Sequence, residues 1–167
     1  NNMVLLVQYT LIFASVLALV ALGGCFSEHS GVINIGLEGI MVMGALGGAL
    51  AMKFLPATTP GIVLFILIVL ASVLVGMAFS LLLGFAAIHF NADQTLVGTA
   101  LNLMGTAAAV VIVRAINVAE NPDNVSSTVV YRQAKQVFLV KIGDFEFNWF
   151  MLIIVLAIIA SHIVLYR

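Results

Sequence analysis

Charge is what this chain has least of. Among 167 residues there are six Lys or Arg and seven Asp or Glu, 8% in all, where soluble domains carry about a quarter. The formal net charge is −1, with no basic excess to meet nucleic acid. A single cysteine, Cys25, excludes an internal disulfide and reads as a small apolar helix residue. The three histidines, His29, His89 and His162, are far apart in sequence. They lack HExxH or other metal-ligand spacing, so no metal or other cofactor is expected. There is no GxxxxGK[ST] loop to bind ATP and no GxSxG. Paired aspartates within an apolar run, as a membrane protease needs, are missing too.

What fills the chain is hydrocarbon. Hydrophobic residues make up 63% and mean hydropathy is +1.25. An integral membrane protein follows. A crossing helix needs about 20 apolar residues, and five runs qualify: Met3–Phe26, Gly31–Met52, Gly61–Ile88, Thr95–Val113 and Phe147–Tyr166. They are continuous rather than alternating, which excludes a closed β-barrel. The first is too long for a signal-peptide core and has no basic flank before it. The fold expected is all-α with about five transmembrane helices. The chain opens "NNM" and stops at Arg167 after an apolar run, so both ends are expected to be cut.

Two connections are short: "KFLPATTPG", a Pro/Gly turn, and "HFNAD". The third, Ala115–Glu146, holds most of the charge. In it "NPDN" reads as a turn, and "QVFLV", "KIGD" and "FEFNW" are compatible with a β-hairpin. Lys53, Arg114, Arg132, Lys135 and Lys141 fall on one side of the membrane, and Arg167 on the other. The positive-inside rule alone would put the long loop in the cytoplasm.

The unusual stretch is "SEHSGVINIGLEG", Ser27–Gly39. It places two carboxylates, an imidazole, an asparagine and three glycines between apolar runs. An ionised side chain at the centre of a spanning helix costs roughly 2.5–3.5 kcal/mol on insertion scales. Glu38 is therefore partnered, protonated, near an interface or facing a polar cavity. Asn34 lies four residues earlier and would share its face on a helix. Gly31, Gly36 and Gly39 either allow close helix contact or mark a break. Two readings stand: a broken or re-entrant segment lining a pathway, or an interfacial loop before an ordinary helix with a snorkelling glutamate. Gly44 and Gly48 form GxxxG, a face for close packing within the chain or at a dimer seam. Gly98, Asn102, Gly105 and Ala109 recur at helical spacing. Asn102 is suited to an interhelical hydrogen bond or to a place on a transport path.

These two blocks resemble permease subunits of ABC importers of the ribose, branched-chain amino acid and nucleoside group. The similarity is greatest to the nucleoside (simple-sugar-type) permeases. Ser27, Glu28, Ser30, Gly31, Val32, Asn34, Ile35, Gly36, Glu38, Gly39 and Met41 follow the family pattern S-E-x-S-G-V-x-N-I-G-x-E-G-x-M. "DQTLVGTALN" from Asp93 follows the next, N/D-Q-V-I-x-G-T-x-L-N. The resemblance implies the N-terminal part of one permease domain, residues 1–167, without the cytoplasmic coupling segment and the later spans. It implies a transport subunit rather than an enzyme. Its partners would be an ABC ATPase, a second permease, an external substrate-binding lipoprotein and membrane lipid. It also implies, against the charge count, that Ala115–Glu146 faces outside and "HFNAD" inside. Asn34, Glu38 and Asn102 become candidates for the path or its gating. Gly31, Gly36, Gly39, Gly44, Gly48, Gly98 and Gly105 become candidates for helix break and packing. The alternatives left open are a sugar or branched-chain amino acid permease, or half of an ion-coupled secondary transporter using Glu38 as a proton site.

Overall fold

The computed structural model describes residues 2–56, 58–130, 139–142 and 145–166. Among these described residues are five helices and one hairpin: α1 (Asn2–His29), α2 (Leu37–Phe54), α3 (Gly61–His89), α4 (Gln94–Glu120), β1 (Leu139–Ile142), β2 (Phe145–Asn148) and α5 (Trp149–Tyr166). Helices α1 to α4 are long and apolar enough to cross a membrane, and α5 carries a shorter apolar stretch, Leu152–Val164. The chain divides into two compact units, residues 1–31 with 135–167, and residues 32–134.

The first unit holds α1, the hairpin and α5. No described residue of α1 is buried within the structure. Such an all-round apolar helix is suited to lipid. Its hydroxyls do not demand water: Thr10 and Ser15 donate to the carbonyls of Leu6 and Leu11 one turn back. Ser161 in α5 does the same to Ile158. The hairpin expected between "QVFLV" and "FEFNW" is present, antiparallel, with Val140 opposite Phe147 and Lys141 opposite Glu146. Gln136–Phe138 and the Gly143–Asp144 turn lie outside the described residues. Phe147, assigned to the fifth span from sequence, belongs to β2 instead.

The second unit is a three-helix sheaf. Helix α2 runs antiparallel to α3, with Gly44 facing Ser72 and Gly76, and Gly47 facing Ala71 and Val75. It runs parallel to α4, with Gly36 beside Gly98 near their starts and Lys53 paired to Glu120 near their ends. Lipid-facing helices gain nothing from hydrophobicity on meeting one another, so close packing of small residues must hold them together. The GxxxG face of Gly44 and Gly48 meets α3 within the chain. Phe79, Leu83 and Leu101 form the buried core, flanked by Ile40, Met43 and Val97.

Two boundaries differ from the sequence expectation. The second run does not become helical at Gly31 but at Leu37. Gly31 takes φ +82, a left-handed conformation natural to glycine, and no helix resumes before Leu37. Asn34 is therefore in the break, not on a helical face with Glu38. The fourth run continues as helix to Glu120 rather than ending at Val113. Its start is fixed by Asp93, whose carboxylate accepts the N–H groups of Thr95 and Leu96, an N-cap.

Candidate functional site

The non-helical residues 32–36 cross the start of α4, and three hydrogen bonds tie them and the start of α2 to that helix. The Ile33 N–H donates to Gln94 Oε1 at 2.8 Å. The Asn102 amide nitrogen donates to the Ile35 carbonyl at 2.8 Å. The Gly39 N–H donates to Asn102 Oδ1 at 2.7 Å. Gly36, the residue before α2, offers no side-chain cap. The first N–H groups of a helix have no intrahelical acceptor, and Asn102 supplies one from a neighbouring helix.

This close approach requires absent side chains. A Cβ on Gly39 would lie 2.5 Å from the Leu101 carbonyl oxygen and 2.9 Å from Asn102 Cα. One on Gly105 would lie 2.9 Å from Gly39 Cα, and one on Gly98 would lie 2.9 Å from the Gly36 nitrogen. The obstacles are backbone atoms, which cannot swing aside. Asn34, Glu38, Asn102, Gly36, Gly39, Gly98 and Gly105 thus gather where the start of α2 meets the first half of α4. Gly44 and Gly48 face α3, and Gly31 has open space where a Cβ would be.

Two polar groups are left over here. Asn34 Oδ1 is buried without a hydrogen-bond partner, a costly state for an amide oxygen. Glu38 is exposed in the first turn of α2, where the helix dipole favours an anion. It has no ion-pair partner among the described residues. The site therefore offers one carboxylate and one unsatisfied amide oxygen on a glycine-packed frame. Among the described residues it has neither a nucleophile–base pair nor a metal-ligand cluster.

A second polar centre escaped the sequence reading. At the far ends of α2 and α4, Lys53 Nζ sits 2.9 Å from Glu120 Oε2 and donates to Asn117 Oδ1 at 3.3 Å. Asn117 is only 2% exposed. Its amide nitrogen donates to the carbonyls of Ser126 and Thr128 at 2.9 and 3.0 Å. A signal existed: Ala109, Val113 and Asn117 continue the helical spacing that includes Asn102 and Gly105. The charge of Arg114 hid it by marking an apparent end to the span.

Comparison with known proteins identifies the family. A family described as "Branched-chain amino acid transport system / permease component" matches residues 6–167. A guanosine ABC transporter permease protein of Bacillus subtilis (strain 168), NupQ, is 45% identical over 116 residues, covering 67% of this chain and 35% of its own length. A nucleoside ABC transporter permease protein of Lactococcus lactis subsp. cremoris (strain MG1363), NupC, is 35% identical over 114 residues, covering 68% of this chain and 36% of its own. The chain thus spans about a third of the length of these curated relatives. No solved structure matches. With a family match over nearly its whole length and several membrane-crossing helices, this chain is a multi-pass plasma-membrane protein and belongs to the permease components of the branched-chain amino acid transport type.

Proposed function

We propose that the chain is the N-terminal part of one transmembrane domain of an ATP-driven importer for nucleosides. The observation that carries this reading is the similarity to two permeases named for guanosine and nucleoside transport. An ABC ATPase subunit supplies the energy. A second permease completes the path, and an external substrate-binding lipoprotein delivers the solute. ATP binding closes the ATPases, the permeases rock against each other, and the path opens alternately to either side.

In this mechanism the polar break is a rigid element beside the path. Asn102 fixes it to α4, which keeps it from rearranging independently of that helix. Glu38, exposed and unpaired among the described residues, presents charge to the path or to a cation on a facing subunit. The test is uptake of labelled guanosine by the full-length permease with its ATPase and lipoprotein. Glu38→Leu is expected to abolish uptake at unchanged membrane levels. Competition by unlabelled nucleosides, but not by sugars or branched-chain amino acids, is expected for the wild type. Normal uptake by Glu38→Leu would remove this residue from the mechanism.

A further inference from the structure

Helix α2 is enclosed along most of its surface. Among its 18 residues only Glu38, Ala45 and Phe54 are exposed. Glu38 and Ala45 are two turns apart, so they open on one face. That face runs Glu38, Val42, Ala45, Ala49, Lys53 and holds both charges of the helix. Helix α4 repeats the same spacing in Asn102, Thr106, Ala109, Val113 and Asn117. The bonds that join the two faces sit at their ends: Asn102 Oδ1 accepts the Gly39 N–H, and Asn117 Oδ1 accepts from Lys53. The parallel helices are thus in register, and their faces border one furrow. Between its ends Val42, Ala45 and Ala49 line a groove of about 380 Å³ with Ala109 and Val113. Ser127 and Thr128, both exposed, stand at the Lys53 end, where the Thr128 carbonyl accepts from Asn117.

Along α2, Glu38 and Lys53 are about 22 Å apart at 1.5 Å per residue, and tilt only shortens their separation across a membrane. The hydrocarbon layer is about 30 Å thick, so the two charges cannot both stand clear of it. Charged groups at such depth face a bundle interior or a water-filled cavity, not lipid. Lys53 is met by Glu120, whereas Glu38 has no ion-pair partner among the described residues. The alanines by themselves would suit a neighbouring helix. A helix laid in the furrow, however, would bury the Glu38 carboxylate and have to bring a cation to it. Water and an uncharged solute need none. The furrow offers an acceptor as well: the Thr106 hydroxyl donates its proton to the Asn102 carbonyl, which leaves its oxygen able to accept. Small-molecule sites are mostly apolar hollows of about 300–1,000 Å³ with a few polar groups, and the groove fits that description.

We infer that the furrow between α2 and α4 lines the solute path, with Ala45 and Ala109 as the floor over which an uncharged, hydrogen-bonding solute passes. The inference rests on the transport reading and adds to it the surface that the solute touches. The chemistry it fits is a flat, weakly polar face laid on the alanines, with O–H or N–H groups turned to Thr106 and Glu38, as a nucleoside presents. Ala45 is then a specificity-determining residue through its smallness, because a larger side chain there projects into the groove.

The test uses the full-length transporter with its ATPase in proteoliposomes, carrying Ala45→Cys in a background without other cysteines. Ala109→Cys on the facing wall is the second variant. Val111→Cys is the control, since Val111 is 64% exposed on another face of α4 at nearly the same depth. The probe is a charged, membrane-impermeant methanethiosulfonate. Modification at positions 45 and 109 that saturating nucleoside slows, with none at position 111, is the expected result. No modification at either position would overturn the inference by showing the furrow covered by protein or lipid. So would modification that no transported solute slows, or equal modification at all three positions. If another solute is transported in place of nucleosides and protects both thiols, the furrow stands and the nucleoside reading falls. Ala45→Leu is expected to lose uptake at unchanged membrane levels, while Val111→Leu keeps it. Full uptake by Ala45→Leu would remove Ala45 from the path.

Discussion

Asn102 uses both ends of its amide on one neighbour. Its oxygen receives the Gly39 N–H and its nitrogen gives to the Ile35 carbonyl, so it joins the last residues of the break to the first turn of α2. The residue stood out in sequence as the one amide on a face of small residues. Its partners did not, because they lie 63 and 67 positions away and only the parallel pairing of α2 with α4 brings them close. Asn102→Leu keeps the volume and removes both bonds. Interhelical hydrogen bonds in membranes average about 0.6 kcal/mol, but a buried group left without a partner costs about 1–3 kcal/mol. Gly39 is buried and its N–H is orphaned, so the larger scale governs. The expected outcome is a detergent-solubilised permease destabilised by about 1–3 kcal/mol, seen as a lowered midpoint in thermal unfolding. An unchanged midpoint would mean water replaces the amide and the staple is not structural.

At the scale of elements, what separates the helices is measured in single carbon atoms. The helical glycines divide into those that meet a neighbour and those that do not. Gly39→Ala would drive a Cβ to 2.5 Å from the Leu101 oxygen, so α2 and α4 must part. Gly84 has nothing within 4 Å of the same position, and alanine there relieves the helix of a residue that costs roughly 0.5–1 kcal/mol. Gly39→Ala is therefore expected to lower folded yield and thermal stability while Gly84→Ala holds or raises both. Equal effects would show that the α2–α4 crossing is looser than described. The helices themselves were legible because continuous apolarity leaves few alternatives. Their boundaries were less so. Val32, Ile33 and Ile35 kept the break apolar, and nothing local shows that Gln94 and Asn102 take up its backbone groups. Arg114 likewise made α4 look shorter, since its tolerance depends on where the helix end sits against the Lys53–Glu120 pair.

At the scale of the whole molecule, the chain's few charges act by where the helix ends place them. Helix α2 runs parallel to α4 and antiparallel to α3, so the Leu55–Pro60 turn and the Asn121–Asn124 turn share one membrane side, and Asn91 lies on the other. The charge count alone would put the first side in the cytoplasm. Lys53, one of the five basic residues in that count, is however paired with Glu120 at 2.9 Å, and the long loop also carries Asp123, Asp144 and Glu146. The family resemblance implies the opposite, with the Asn121–Asn124 turn outside. Sidedness is measurable with single cysteines in the Cys25→Ser background of the full-length permease. Thr59→Cys is expected to react with an impermeant maleimide added to intact cells, and Asn91→Cys only after the membrane is opened. Opposite sidedness for the pair, with Asn91→Cys labelled first, would keep the helix arrangement and reverse the importer orientation. Labelling of both from the same side would break the α2–α3–α4 topology itself, because α3, with 29 residues, then could not cross the bilayer.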